Sequence, residues 1–140
     1  MSSTNIESRI SKILGKMCRE KGFLAAIVCT SDGLTVASYA HRRTAEVVEK
    51  GHDEEFEQVV SALGGLFLTV ASRAREELRF KRVEEFFLRG ISGLRVVFRV
   101  FDSVLFESSL ILGVLMDRSV PYRRLTTNVI SMIQDAIDSE

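Results

Sequence analysis

The stretch from Glu54 to Leu78 constrains the fold more than any other. It carries Phe56, Val59, Val60, Leu63, Leu66, Phe67, Val70, Ala74 and Leu78. That apolar stripe keeps a helical period for about seven turns, too long for a strand or a loop. Asp53 is placed to cap its start, with acidic residues in the first turn. Gly64-Gly65 interrupts the stripe, and a mid-helix glycine costs about 1 kcal/mol against alanine. A tolerated pair implies that another backbone comes close. The adjacent apolar pairs Val59-Val60, Leu66-Phe67 and Val70-Ala71 widen the stripe beyond the needs of one sheet face. A second chain is the expected user of the excess.

The remaining elements follow from period and punctuation. Ile6, Ile10, Ile13, Leu14 and Met17 predict an amphipathic helix over 5–21, stopped by Gly22. Residues 24–30 are almost wholly apolar and read as a strand covered on both faces. Ser31-Asp32-Gly33 is a hairpin signal, and 34–40 is the return strand. The polar segment His41 to His52 is compatible with a loop or with a short helical extension. The long helix is expected over 53–79. Further strands are expected at 81–89, 94–101 and 109–116, the first partly exposed and the last a continuous central run. Pro121, the only proline, suits the first position of a closing helix over 121–138. Leu125, Val129, Met132, Ile133, Ala136 and Ile137 share one face of it. Helix, two strands, long helix, three strands and helix describe a single α+β domain over 1–140, a sandwich with one five-stranded sheet.

Composition excludes more than it identifies. With 140 residues, 46% hydrophobic and 27% charged, the chain is globular and large enough for a real core. Lysine plus arginine and aspartate plus glutamate each total 19, so the formal net charge is zero. That argues against a nucleic-acid binder and permits association. The N-terminus lacks a signal-peptide pattern, and Leu110 to Met116 is far short of the ~20 residues of a membrane span. A cytoplasmic protein with no membrane insertion is expected. Cys18 and Cys29 are too few for a disulfide framework or zinc site and are read as buried thiols.

Catalytic constellations are missing. The glycines match neither phosphate-loop pattern, and no Gly-x-Ser-x-Gly elbow occurs. His41 and His52 have no metal-ligand spacing around them. Glu54-Glu55, Glu76-Glu77 and Glu84-Glu85 read as solvated faces. No catalytic residue, cofactor or metal is therefore expected, and the chain is not read as an enzyme. Arg73, Arg75, Arg79, Lys81 and Arg82, interleaved with Glu76 and Glu77, form either a solvated helix end or a docking surface for an acidic patch. Arg118, Arg123 and Arg124 bracket the start of the closing helix, where cations oppose the helix dipole.

The assembled pattern resembles the roadblock/dynein light chain domain family over nearly the whole chain. Carrying the resemblance are Gly22-Phe23 before the first strand, Ser31-Asp32-Gly33-Leu34 and the small residues Val36-Ala37-Ser38. With them go Ala62-Leu63-Gly64-Gly65-Leu66 and Ala71-Ser72-Arg73-Ala74 in the long helix, and the strand Leu110 to Met116 before the closing helix. The resemblance is to the prokaryotic GTPase-regulator branch in particular. It implies an antiparallel sheet with the long helix on one face and the terminal helices on the other. It also implies a homodimer or higher oligomer in which long helices pair and sheet edges join. The interface would include Leu63, Gly64, Gly65, Phe67, Leu68, Val83, Glu85 and Phe87. The implied role is a regulator, such as a GTPase-activating protein, or a scaffold of a small Ras-like GTPase, docked near Glu57, Ser61, Ser72, Arg73 and Arg75. The polar insert 41–52 and the Val120-Pro121-Tyr122-Arg123-Arg124 start of the closing helix depart from the commoner family pattern. A small-molecule-sensing or structural module of the same fold is the alternative. It would need a cavity with convergent polar groups, and the expected core is apolar.

Overall fold

The structure, a computed structural model, describes residues 2–31, 34–40, 53–81, 83–90, 93–104 and 109–139, and their side chains except at 2–4, 53–64 and 66. The elements in chain order are α1 (Ser2–Lys21), β1 (Ala25–Thr30), β2 (Thr35–Ala40), α2 (Asp53–Leu78), β3 (Glu85–Arg89), β4 (Arg95–Phe101), β5 (Leu110–Met116) and α3 (Tyr122–Asp138). The strands form one antiparallel sheet in the order β2-β1-β5-β4-β3. The sheet is five-stranded, with the long helix against one face and the two terminal helices against the other.

Side chains alternate across a strand, so each sheet face has its own set. Ala26, Val28, Leu112 and Val114 meet Ile10 and Leu14 of α1 and Ile133 and Ile137 of α3. The opposite parity, Ile27, Cys29, Phe98 and Ile111, meets Phe67 of α2, with Leu68 and Ala71 packed alongside. β5 lies between β1 and β4, and every one of its residues is buried, the two-sided burial that its unbroken apolar sequence predicts.

Gly113 in β5 makes room for an aromatic cluster. A Cβ there would come 2.9 Å from the Phe98 ring and 3.1 Å from Ile27 Cγ2. In that space Phe98 stacks on Phe67 at 6.0 Å between centroids, and Phe67 meets Phe86 at 5.6 Å. Gly22 ends α1 with φ +85, the left-handed conformation that glycine adopts at low cost. Arg118 lies over it, 2.7 Å from where a Cβ would be. That position places a cation at the C-terminus of α1, where the helix dipole favours one.

Some expectations shift. Strand β3 begins at Glu85 instead of near Lys81. α2 ends at Leu78, Arg79 turns left-handed at φ 60, and the Glu84 carbonyl, just before β3, accepts the Val100 N–H of β4 at 3.0 Å. Met132, expected on the inner face of α3, is 45% exposed. The 41–52 segment, the Asp32-Gly33 turn and the side chains of Phe56, Val59, Val60, Leu63 and Leu66 lie outside the described residues.

Cys18 and Cys29 are free and buried. Burial pushes their thiols up to about 12 and about 11, which leaves little of the thiolate that redox or nucleophilic chemistry requires.

Candidate interaction surface

The outward side of α2 and the open edge at β3 make up the candidate surface. One helical turn takes 3.6 residues, so Gly65, Thr69 and Ser72 follow one line on the side of α2 away from Phe67. All are small. A Cβ added to Gly65 would meet nothing within 4 Å. At Gly65, therefore, no part of the described chain makes the close approach that the glycine pair implied. Away from this line, α2 and the residues just after it also leave large apolar groups in solvent: Val70 is 41% exposed, Leu78 65% and Phe80 53%.

Strand β3 is an edge, and among the described residues no strand lies beyond it. Phe86 turns to the α2 face, where it joins the aromatic cluster, and Leu88 shares its parity. Glu85, Phe87 and Arg89 turn to the other face. There Phe87 packs on Tyr122 with centroids 5.7 Å apart.

Glu85 is the centre of a polar cluster tying β3 to the first turn of α3. Tyr122 donates its hydroxyl proton to Glu85 Oε2 at 2.9 Å, and Arg123 donates from Nη2 to the same oxygen at 3.1 Å and from Nε to Oε1 at 3.3 Å. Arg99, opposite Glu85 on β4, has Nε 4.0 Å from Oε1. Its Nη1 donates to the Arg123 carbonyl at 3.0 Å and to the Thr126 and Thr127 hydroxyls at 2.9 and 2.6 Å. Burial alone would raise the Glu85 pKa, but the hydrogen bonds from Arg123 and Tyr122 and the charges of Arg123 and Arg99 outweigh it and hold the carboxyl below its ordinary value. Burial and the hydrogen bond to Glu85 push Tyr122 up in turn. Arg123, unfavourable to the helix dipole taken alone, is thus explained by its carboxylate partner. Sequence reading missed this cluster, because Glu85 and Tyr122 are far apart in the chain and only the strand order joins them.

The residues named from sequence fall in different places. Phe67 is a correction: at 1% exposure it belongs to the core and cannot face a second chain. Leu68 and Val83 are half-buried and lean on the same cluster. Gly65 and Phe87 are open to solvent on the helix side and strand side. Ser72 is half-buried, and Arg73 and Arg75 are exposed. Arg73 donates to Glu77 at 2.6 Å along the helix, an exposed pair worth little in stability. Leu63, Gly64, Glu57 and Ser61 lie outside the described side chains. Val70 belongs to the excess of the stripe expected to meet a second chain, whereas Leu78, Phe80 and Leu88 were not singled out as surface residues. Their apolar character reads as core until the end of the sheet beneath them is known.

No sequence family and no curated protein matches the chain. Solved structures do match it. The gliding protein MglB from Thermus thermophilus superposes with a TM-score of 0.68 at 14% identity, covering 96% of this chain and 93% of that one. A roadblock/LC7 domain from Streptomyces avermitilis gives 0.64 at 14% identity, with 89% and 92% covered. An MglB with a tetrameric arrangement gives 0.66 at 16%, with 96% and 91% covered.

Proposed function

For a chain with the roadblock/LC7 fold, we propose a non-enzymatic, self-associating regulator or scaffold of a small Ras-like GTPase. Two copies pair through α2 and the β3 edge, and the GTPase docks on the paired helices. The observation that carries this reading is the open surface itself: an unpaired strand edge together with a helix whose outward line is small, and the exposed apolar groups Val70 and Leu78 on that helix and Phe80 just after it. Exposed apolar groups next to a free edge mark an interaction site on a protein of this size. The zero net charge adds little repulsion between copies. No helix among the described residues is long and apolar enough to cross a membrane, and the protein is placed in the cytoplasm on this reading. The sensing alternative gains nothing, because the described side chains between sheet and helices form packed apolar clusters.

Regulation here works by docking. Arg73 is already engaged by Glu77, and reordering a GTPase's own switch loops requires no arginine supplied to the nucleotide. The test is co-purification of the tagged protein from its native cell, followed by GTP hydrolysis assays with the GTPase recovered. A Ras-like GTPase is expected in the bound fraction, with hydrolysis unchanged by Arg73→Ala or Arg75→Ala. Absence of any such GTPase would overturn the partner. A hydrolysis rate that collapses on either substitution would show that an arginine acts on the nucleotide.

A further inference from the structure

We propose that the outer face of the α1–α3 helix pair is a separate docking surface for a second copy of the chain, packed about a two-fold axis that runs along the groove between the helices. The contact uses neither α2 nor the β3 edge, so it stands apart from the pairing described above.

α1 and α3 lie side by side on one sheet face. They run antiparallel. Arg9, in the first half of α1, donates from Nη2 to Ser139 Oγ at the end of α3 at 2.8 Å. Arg118, just before α3, lies over Gly22, just after α1. On their outer side the helices leave an open groove. Ile13, Met132 and Ala136 are its apolar lining, with Arg9 and Lys12 on the α1 bank and Asp135 on the α3 bank. Met132 is 45% exposed there, and Ile13 is half-buried. Apolar groups between two charged banks form a seam that another helix pair can cover.

The charges identify the occupant. Along α1, Lys12, Lys16 and Glu20 are exposed in turn. Along α3, Asp135 is exposed, followed toward the N-terminus by the neutral Ser131 and Asn128 and then by Arg124. With the helices antiparallel, Lys12 shares a level with Asp135, Lys16 with the neutral pair, and Glu20 comes within side-chain reach of the level of Arg124. The two banks therefore carry opposite signs at both ends of the seam. A partner of one sign cannot match this: an acidic helix would answer Lys12 and Lys16 but oppose Asp135 and Glu20. A second copy answers every charge.

Only one symmetry does so. A two-fold axis along the groove lays α1 of each copy over α3 of the other at the same level, and the contact is isologous. Lys12 then meets Asp135 of the second copy, Glu20 meets Arg124, and Met132 meets Ile13, each pair occurring twice. The flexible methionine suits such a seam, because it fills irregular gaps. An axis across the groove would lay α1 over α1 and set Lys12 against Lys16 of the second copy, a like-charge contact that specific interfaces avoid.

A charge exchange tests the surface and its axis. Lys12→Glu and Asp135→Lys each set like charges together twice, and both positions are exposed, so the single-chain fold should be kept. Each should weaken self-association on the order of tenfold in sedimentation velocity. Combining both changes in one chain, or mixing the two single variants, restores opposite charges at both contacts and should restore association. The same responses should persist on a Gly65→Leu background, which separates this face from α2. Association unchanged by either single variant would overturn the groove contact and leave pairing through α2 standing. Weakening by both, with no recovery in the combined variant, would overturn the axis along the groove. A chain that never associates would overturn this contact and the α2 pairing together.

Discussion

Gly113 and Glu85 show how much can depend on a single position. Gly113 has no side chain, and the Phe98 ring occupies the space where one would be. Gly113→Ala should therefore force the aromatic cluster apart and cost about 1–3 kcal/mol, the usual range for overpacking a core. A lowered urea midpoint with an unchanged slope would register it, and an unchanged midpoint would show that the cluster yields freely. Glu85 makes a pH prediction. Its pKa is lower folded than unfolded, so its contribution is present above the ordinary glutamate value, near 4.3, and fades as pH falls through the depressed folded value. Glu85→Gln should lower stability at neutral pH and flatten the loss on acidification. Parallel acid-unfolding curves for the two proteins would contradict this. Neither role was legible in the sequence. An apolar run containing one glycine does not say which ring lies against it, and a Glu-Glu pair looks like solvated surface.

The elements were the legible scale. Period, glycine stops and the lone proline located α1, α2, α3 and the strands within a few residues, because helix and strand repeats are local properties of the chain. β3 is where local reading went furthest wrong. The expected start near Lys81 has strand-like composition, but the chain leaves α2 through a left-handed turn at Arg79, and the strand begins only at Glu85. The α2 stripe was read as wider than one sheet face, and it is divided: Phe67 and Ala71 face the sheet, while Val70 is exposed. Gly65→Leu tests the other side of that helix. A Cβ built on Gly65 would meet no described residue beyond its own helix turn within 4 Å, so the single-chain fold should tolerate leucine, as shown by an unchanged far-ultraviolet circular dichroism spectrum. Pairing through α2 should weaken by about tenfold or more if helix backbones meet there. An unchanged oligomeric state would place the helix contact elsewhere.

At the scale of the whole molecule the two sheet faces are unequal. Among the described residues one is closed by α1 and α3 together, the other by α2 alone with a free edge beside it. On the proposed pairing, association would add stability, since any partner that binds only the folded form shifts the unfolding equilibrium. The thermal midpoint should therefore rise with protein concentration across the range in which copies associate. A midpoint independent of concentration, in a sample seen to dimerise by light scattering, would mean that pairing is too weak to couple to folding.

The sequence alone determined the kind and order of the elements and the absence of recognisable catalytic motifs, because repeat, capping and turn chemistry act over a few neighbouring residues. It also supported the family resemblance on the small residues around Gly22 and Gly64-Gly65. Only the tertiary structure decided that Phe67 is core, that Gly65 looks outward, and that Glu85 holds Tyr122 and Arg123. It likewise decided which residues of α1 and α3 share the groove between them. Those outcomes depend on strand order and helix packing, which join residues distant in the chain and which no local pattern encodes.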